Sequence, residues 1–204
     1  MENEKEQIIN YWVNKDKTAV HMEPEKLMVS IEDFIKAHNT CALATSAQDV
    51  VRCTPIEYNY VDGKFYLFSE GGLKFRGLYA NQNVSIAIYE QYKGFGKLGG
   101  MQIMGIAKII EPFSEEYNKL LDHKKIPKSA IEKMPHPMNL IKVIPTEIDF
   151  LNSEFKEEGF DSRQHIKFEI LEKKDPFYTI TNKERIKKSI QQLETIGENA
   201  SHLQ

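Results

Sequence analysis

Short runs in which apolar and polar positions alternate dominate residues 40 to 151 and predict strands more often than helices. Thr40 to Thr45 is small-residue-rich and largely apolar, as a buried strand requires, and Ser46 to Asp49 supplies a turn. Val50 to Tyr60 reads as the partner of that strand. Asp62-Gly63 is a tight-turn signal, after which Lys64 to Ser69 resumes with Phe65, Tyr66, Leu67 and Phe68. These three runs predict a continuous antiparallel meander. Val84 to Tyr89 and Met101 to Ile110 predict another antiparallel pair, connected through the glycine-rich segment Gly94 to Gly100. Leu140 to Ile144 and Glu147 to Leu151 are strand-like runs separated at Pro145.

Helical signals lie between and beyond these strands. Pro24 suits a helix start, Ser30 with Asp33 has the spacing of a capping box ahead of Phe34 and Ile35, and a helix end is expected near His38 or Asn39. Leu73 to Ala80 predicts a short packed helix that presents Lys74 and Arg76 beside apolar contacts. Ser114 with Tyr117, Leu120 and Leu121 predicts an outer helix, whereas the three prolines in Ile126 to Met138 predict irregular chain. Near the end, Thr181 and Glu184 form a capping box before the stripe Ile186, Ile190, Leu193 and Ile196, an amphipathic helix suited to packing, including against a partner subunit. At the other end, Ile8, Ile9, Tyr11, Trp12 and Val13 form an apolar patch expected to dock as a helix or turn.

The count of about six barrel-forming strands, without a sustained βαβ alternation, predicts a mainly β chain with peripheral helices, in a closed or partly closed antiparallel barrel that leaves few strand edges exposed. A chain of 204 residues can bury a substantial core as one domain with extensions.

Net charge of -3 supplies no global field for nucleic acid or an anionic membrane, and Lys124, Lys125 and Lys128 form only a short basic patch. The polar, acidic opening MENEKEQ and the lack of a long apolar run lead to the expectation of a cytoplasmic protein without membrane or nucleic-acid partners. Cys41 and Cys53 are too few for a disulfide framework, and the scattered histidines lack compact zinc spacing, so no metal site is expected.

Arg52 and Lys74 are the candidate anion-binding pair, because two cations brought together by folding favour phosphate between them. Taken singly, each also reads as a surface cation. Gly71-Gly72 and Ser69 are compatible with a phosphate-binding loop, while the glycines of 94–100 lack the spacing of a dinucleotide fingerprint. Gln102, at a strand start, offers both an amide donor and an acceptor to a planar heterocycle, or simply to solvent.

The ordered series Thr40-Cys41-Ala42-Leu43-Ala44-Thr45, Val51-Arg52-Cys53-Thr54-Pro55-Ile56, Phe65 to Ser69 before Lys74, Asn81-Gln82-Asn83-Val84-Ser85-Ile86 and Met101 to Ala107 resembles the pyridoxamine 5'-phosphate oxidase superfamily of FMN-binding split barrels. The resemblance spans roughly residues 27 to 151 and implies a six-stranded antiparallel split barrel at 23–151, flanked by an N-terminal extension at 1–22 and a C-terminal extension at 152–204. It implies FMN bound between the protomers of a homodimer. Arg52 and Lys74 fall on the phosphate side, Ser69 beside them, Gln102 on the isoalloxazine side, and Cys53 and Thr54 at backbone contacts, with ordinary strand packing the alternative for the last two. The chain departs from the family where a serine, arginine and lysine group becomes Gly72, Leu73 and Lys74, which removes one phosphate donor and one cation. Arg163-Gln164-His165 resembles the oxidase's distal substrate motif, although Leu151, Ile166 and Lys167 replace its expected tryptophan, aspartate and arginine. Arg163 and His165 are therefore candidate substrate-binding residues, or loop residues that balance Glu154, Glu157, Glu158 and Asp161.

The resulting expectation is an FMN-dependent oxidoreductase for a small, aromatic substrate, with NAD(P)H as a candidate electron donor. The alternatives are a pyridoxamine or pyridoxine 5'-phosphate oxidase and a non-catalytic flavin- or haem-binding stress protein.

Overall fold

The computed structural model describes residues 2–168. The predicted helix at Thr181 to Ile196 lies outside them. Helices α1 (Glu2–Ile9), α2 (Tyr11–Asp16) and α3 (Pro24–Ala37) lead into strands β1 (Thr40–Ala47), β2 (Val50–Glu57), β3 (Asn59–Val61) and β4 (Lys64–Ser69). Helix α4 (Lys74–Ala80), strands β5 (Asn83–Tyr89) and β6 (Gly99–Ile110), and helices α5 (Glu115–His123) and α6 (Lys128–Glu132) follow. Strand β7 (Asn139–Asn152), a 3-10 turn at Ser153–Glu158 and strand β8 (Arg163–Lys167) complete the described chain.

All strand pairings are antiparallel, in the order β2-β1-β5-β6-β7-β4-β3, with β8 added on β7. The fold is thus mixed α and β around a curled sheet related to the split-barrel type, and the expectation of a mainly β, six-stranded barrel is corrected. The predicted strand Val50 to Tyr60 pairs antiparallel with both of its neighbours, but as two strands, β2 with β1 and β3 with β4, so the meander is not continuous. Pairing of β2 with β1 ends at Tyr58, whose backbone N–H makes the last hydrogen bond of that register, to the Asn39 carbonyl at 2.8 Å, and whose phenol donates to the Ile35 carbonyl at 2.6 Å. The break at Tyr58 sends β3 to the opposite end of the hydrogen-bonded path. The sheet therefore begins and ends on strands that are consecutive in the chain.

Inward-facing Leu43, Ile86, Ile103, Val143 and Phe150 form one core with Leu27, Ile31 and Ile35 of α3 and with Phe75 and Leu78 of α4. A second cluster joins Tyr66 and Leu140 of the sheet to Tyr117, Leu120 and Leu121 of α5 and Ile131 of α6. Alpha-helix α5 starts as its sequence suggests: the Ser114 hydroxyl accepts from the Tyr117 N–H. Ser30 instead lies inside α3, where its hydroxyl donates to the Lys26 carbonyl, because Pro24 opens the helix earlier. The apolar residues of α1 and α2 remain largely exposed, so the expected docking of that patch is not found among the described residues.

Pro145 does not end a strand. Gly105 pairs with Pro145 and Met104 with Glu147, so Thr146 is the extra residue of a bulge that keeps β7 continuous past a residue without an N–H. Before the bulge Ile141 and Val143 point into the main core, and after it Ile148 and Phe150 do. The facing of odd and even positions is exchanged, which turns Glu147 and Asp149 outward. Gly105 is required opposite this point, since a Cβ there would stand 2.7 Å from Val143 Cγ1 and 2.8 Å from the Ile144 carbonyl oxygen.

Candidate functional site

The sequence-derived candidates fall into two groups. Arg52 pairs with Thr45 at the end of the β1–β2 hairpin, and Thr54 pairs with Leu43, so both share the core-facing side of the sheet. Helix α4 packs over this end. A Cβ on Gly77 would lie 2.8 Å from Thr45 Cβ and Oγ1, so glycine permits the close approach of α4 to β1. Thr45 is buried and its Oγ1 has no hydrogen-bond partner among the described residues.

The loop before α4 brings Ser69 and Lys74 together. The buried Ser69 hydroxyl donates to the Gly71 carbonyl and accepts from the Gly71 N–H, both at 3.2 Å, and the Lys74 ammonium donates to the same carbonyl. Gly71 and Gly72 have φ of 139° and 102°, a conformation that favours glycine. Burial lowers the Lys74 pKa from the ordinary lysine value. Among the described residues neither Arg52 nor Lys74 has a carboxylate partner. Two uncompensated cations, one of them partly desolvated, together with the Ser69 hydroxyl, fit a phosphate chemically.

The second group lies on the outer face. Pairing across six neighbouring strands produces the transverse row Pro55, Ala42, Ala87, Gln102, Asp149 and His165. The next row runs Cys53, Ala44, Ser85, Met104, Glu147 and Lys167. Small residues at Ala42, Ala44, Ser85 and Ala87 leave this face low between the side chains of β2 and β6. Gln102 is three strand spacings from β2, about 14 Å along the sheet.

His165 Nδ1 lies 3.2 Å from Asp149 Oδ1, and its Nε2 lies 3.6 Å from Glu147 Oε1. Arg163 reaches Asp149 at 3.4 Å and Lys167 reaches Glu147 at 3.4 Å. The partners of Arg163 and His165 are therefore carboxylates of β7, not the acidic loop residues considered from the sequence. Glu147, Asp149 and His165 offer potential ligand atoms within 4.8 Å of one another, but the two flanking cations already compensate the carboxylates. Sequence reasoning missed Glu147 and Asp149. Their alternation with Ile148 was legible, but their facing depends on the bulge at Thr146.

Within one chain the structure unites Arg52 with the α4 end and aligns Gln102 with His165, while these two groups face opposite sides of the sheet. Cys53 lies on the outer face and is exposed; Arg52 is also exposed, whereas Thr54 is half-buried.

The family model described as pyridoxamine 5'-phosphate oxidase matches residues 28–152. The chain belongs to this family. Campylobacter jejuni ChuZ has a similar fold, with a TM-score of 0.55 and 18% identity over 72% of this chain and 61% of that one. General Stress Protein 26 from Bacillus anthracis gives a TM-score of 0.51 and 17% identity over 70% of this chain and 98% of its own. A heme binding protein from Mycobacterium smegmatis gives 0.50 and 15% identity over 66% of this chain and 55% of its own. At these identities the likeness concerns the fold. No curated protein matches the sequence. Among the described residues, no helix is long and apolar enough to cross a membrane.

Proposed function

We propose that this member of the pyridoxamine 5'-phosphate oxidase family is a split-barrel protein that binds FMN at a homodimer interface. The carrying observation is that Arg52, at the sheet end under α4, and Lys74, beside Ser69 in the Gly71-Gly72 loop, have no carboxylate partner among the described residues. These residues would hold the phosphate, and Gln102 would meet the ring on the outer face. The opposite facing of the two groups supports a dimer, because a second copy related by two-fold symmetry can supply one group to the other. FMN would supply the redox chemistry, while the chain supplies position and access. This reading covers a binding protein first, and extends to an oxidoreductase acting on a small aromatic substrate if bound FMN accepts electrons from NAD(P)H.

The test is a titration of the purified chain with FMN and with riboflavin, which lacks the phosphate. Binding of FMN at least tenfold tighter than riboflavin, with the difference lost in Arg52→Ala and Lys74→Ala, is expected. Equal affinity for both flavins would remove the phosphate site. On FMN-loaded protein, anaerobic bleaching by NAD(P)H separates the oxidoreductase from the binding protein, and bleaching by pyridoxine 5'-phosphate identifies the oxidase.

A second reading, a haem-binding protein, is favoured by His165, whose imidazole is oriented by Asp149 as metal-ligating histidines are. The Mycobacterium smegmatis relative described as a heme binding protein has the same fold. A Soret band on haemin titration that His165→Ala abolishes would select this reading over FMN.

A further inference from the structure

A separate cleft of about 330 Å³ lies where α2, the loop before β6 and the start of β8 meet. Trp12, Phe95 and Leu151 contribute apolar walls. Both aromatic rings stand out into solvent, Trp12 at 48% exposure and Phe95 at 86%. Cations line the same space. Lys15 and Arg163 lie 5.0 and 5.1 Å from the centre of the Trp12 ring, and Lys156 adds a third positive charge.

The acids of the cleft are turned to other groups. Asp161 accepts from the Val20 N–H at 2.8 Å, and Asp16 lies 3.8 Å from His21. Lys15 and Lys156 have no carboxylate partner among the described residues. Exposed aromatic surface beside uncompensated ammonium groups is complementary to a molecule with a flat apolar body and one negative end. The volume suits a single-ring ligand.

We propose that this cleft is a binding site for a small aromatic carboxylate, distinct from the phosphate-binding residues at Arg52 and Lys74. The ring packs against Trp12 and Phe95, and the carboxylate faces Lys156 and Lys15. The proposal stands without the flavin reading, since none of these contacts involves Arg52, Ser69, Lys74 or Gln102.

Trp12 is the only tryptophan of the chain, so its fluorescence reports on this cleft alone. The full-length protein is titrated with para-nitrobenzoate, a quenching aromatic acid, and with para-nitrobenzamide, its neutral counterpart. Saturable quenching is expected for the acid, with about tenfold weaker binding for the amide and for Lys156→Ala, each having lost one charge-assisted contact. Lys15→Ala serves as the second variant, and both lysines are exposed, so the fold is retained as checked by circular dichroism. Arg52→Ala leaves the titration unchanged. Quenching that never saturates, equal quenching by acid and amide, or indifference to both lysine substitutions would overturn the site. Loss of quenching in Arg52→Ala would place the acid elsewhere and overturn it as well.

Discussion

Gly77 and Thr45 touch so closely that a single methyl group does not fit between α4 and β1: the Cβ of an alanine at 77 would stand 2.8 Å from Thr45 Cβ. This contact sets the height of α4 over the ends of β1 and β2, and hence where Lys74 begins the helix.

Gly77→Ala is therefore expected to destabilise the fold by about 1–3 kcal/mol through overpacking, read from the midpoint of urea denaturation. It also shifts α4, so FMN binding weakens even though no cation is removed. Unchanged stability and unchanged affinity together would show that α4 relaxes freely.

Lys74 gives the proposed phosphate site a pH dependence. Its pKa is lowered by burial, so the ammonium loses its proton at a lower pH than an ordinary lysine. Because the folded value is depressed, the protonated form carries a folding penalty that is relieved as pH rises through that value. Anion binding runs the other way and weakens over the same range. FMN affinity in the wild type is expected to fall with alkalinity before that of Lys74→Arg, whose charge persists. Parallel profiles would exclude Lys74 from the phosphate contacts.

Glu116 provides the converse case for stability. Burial alone raises its pKa, but the hydrogen bonds from Lys142 and Tyr66 and the charges of Lys142 and Lys64 outweigh it and hold the carboxyl below its usual value. Its stabilising effect is full above the unfolded-state pKa and is lost as pH falls through the depressed folded value. Glu116→Gln is expected to cost on the order of 1 kcal/mol near neutrality, given partial solvent screening, with the deficit vanishing in acid. Denaturant midpoints measured across pH for both proteins provide the comparison.

The two thiols should differ in reactivity. Cys53 is exposed, whereas burial, with a smaller contribution from Cys53, pushes the Cys41 thiol up to about 12. A thiol reagent near neutral pH is expected to label one cysteine in the native protein and both after denaturation, with Cys53→Ser abolishing native labelling.

Local chemistry made much of the architecture legible. The 62–63 turn was readable because Asp62 and Gly63 both adopt positive φ, and the Ser114 cap because its hydroxyl meets an N–H three residues on. The break at Tyr58 was not readable, since it depends on a hydrogen bond to Ile35 that exists only after α3 docks. Pro145 misled for a related reason: its missing N–H signals an end of pairing, but Gly105 on the opposite strand lets the chain slip by one residue and continue. Of the candidate site, the residue types were visible, while their facing was not. Arg163 and His165 could be named, but their carboxylate partners required knowledge of which way β7 turns.

That slip at Thr146 behaves like a change of reading frame for side chains. Upstream of it, odd-numbered residues of β7 face the core, and downstream even-numbered ones do. Removing Thr146 alone would keep Pro145 opposite Gly105 and Glu147 opposite Met104 and leave every facing unchanged, whereas drawing Thr146 into the ladder opposite Met104 would turn Glu147 and Asp149 toward the apolar interior and expose Ile148 and Phe150. The charge of the outer face of β7 is therefore encoded by one residue standing out of the ladder as much as by the identity of Glu147 and Asp149.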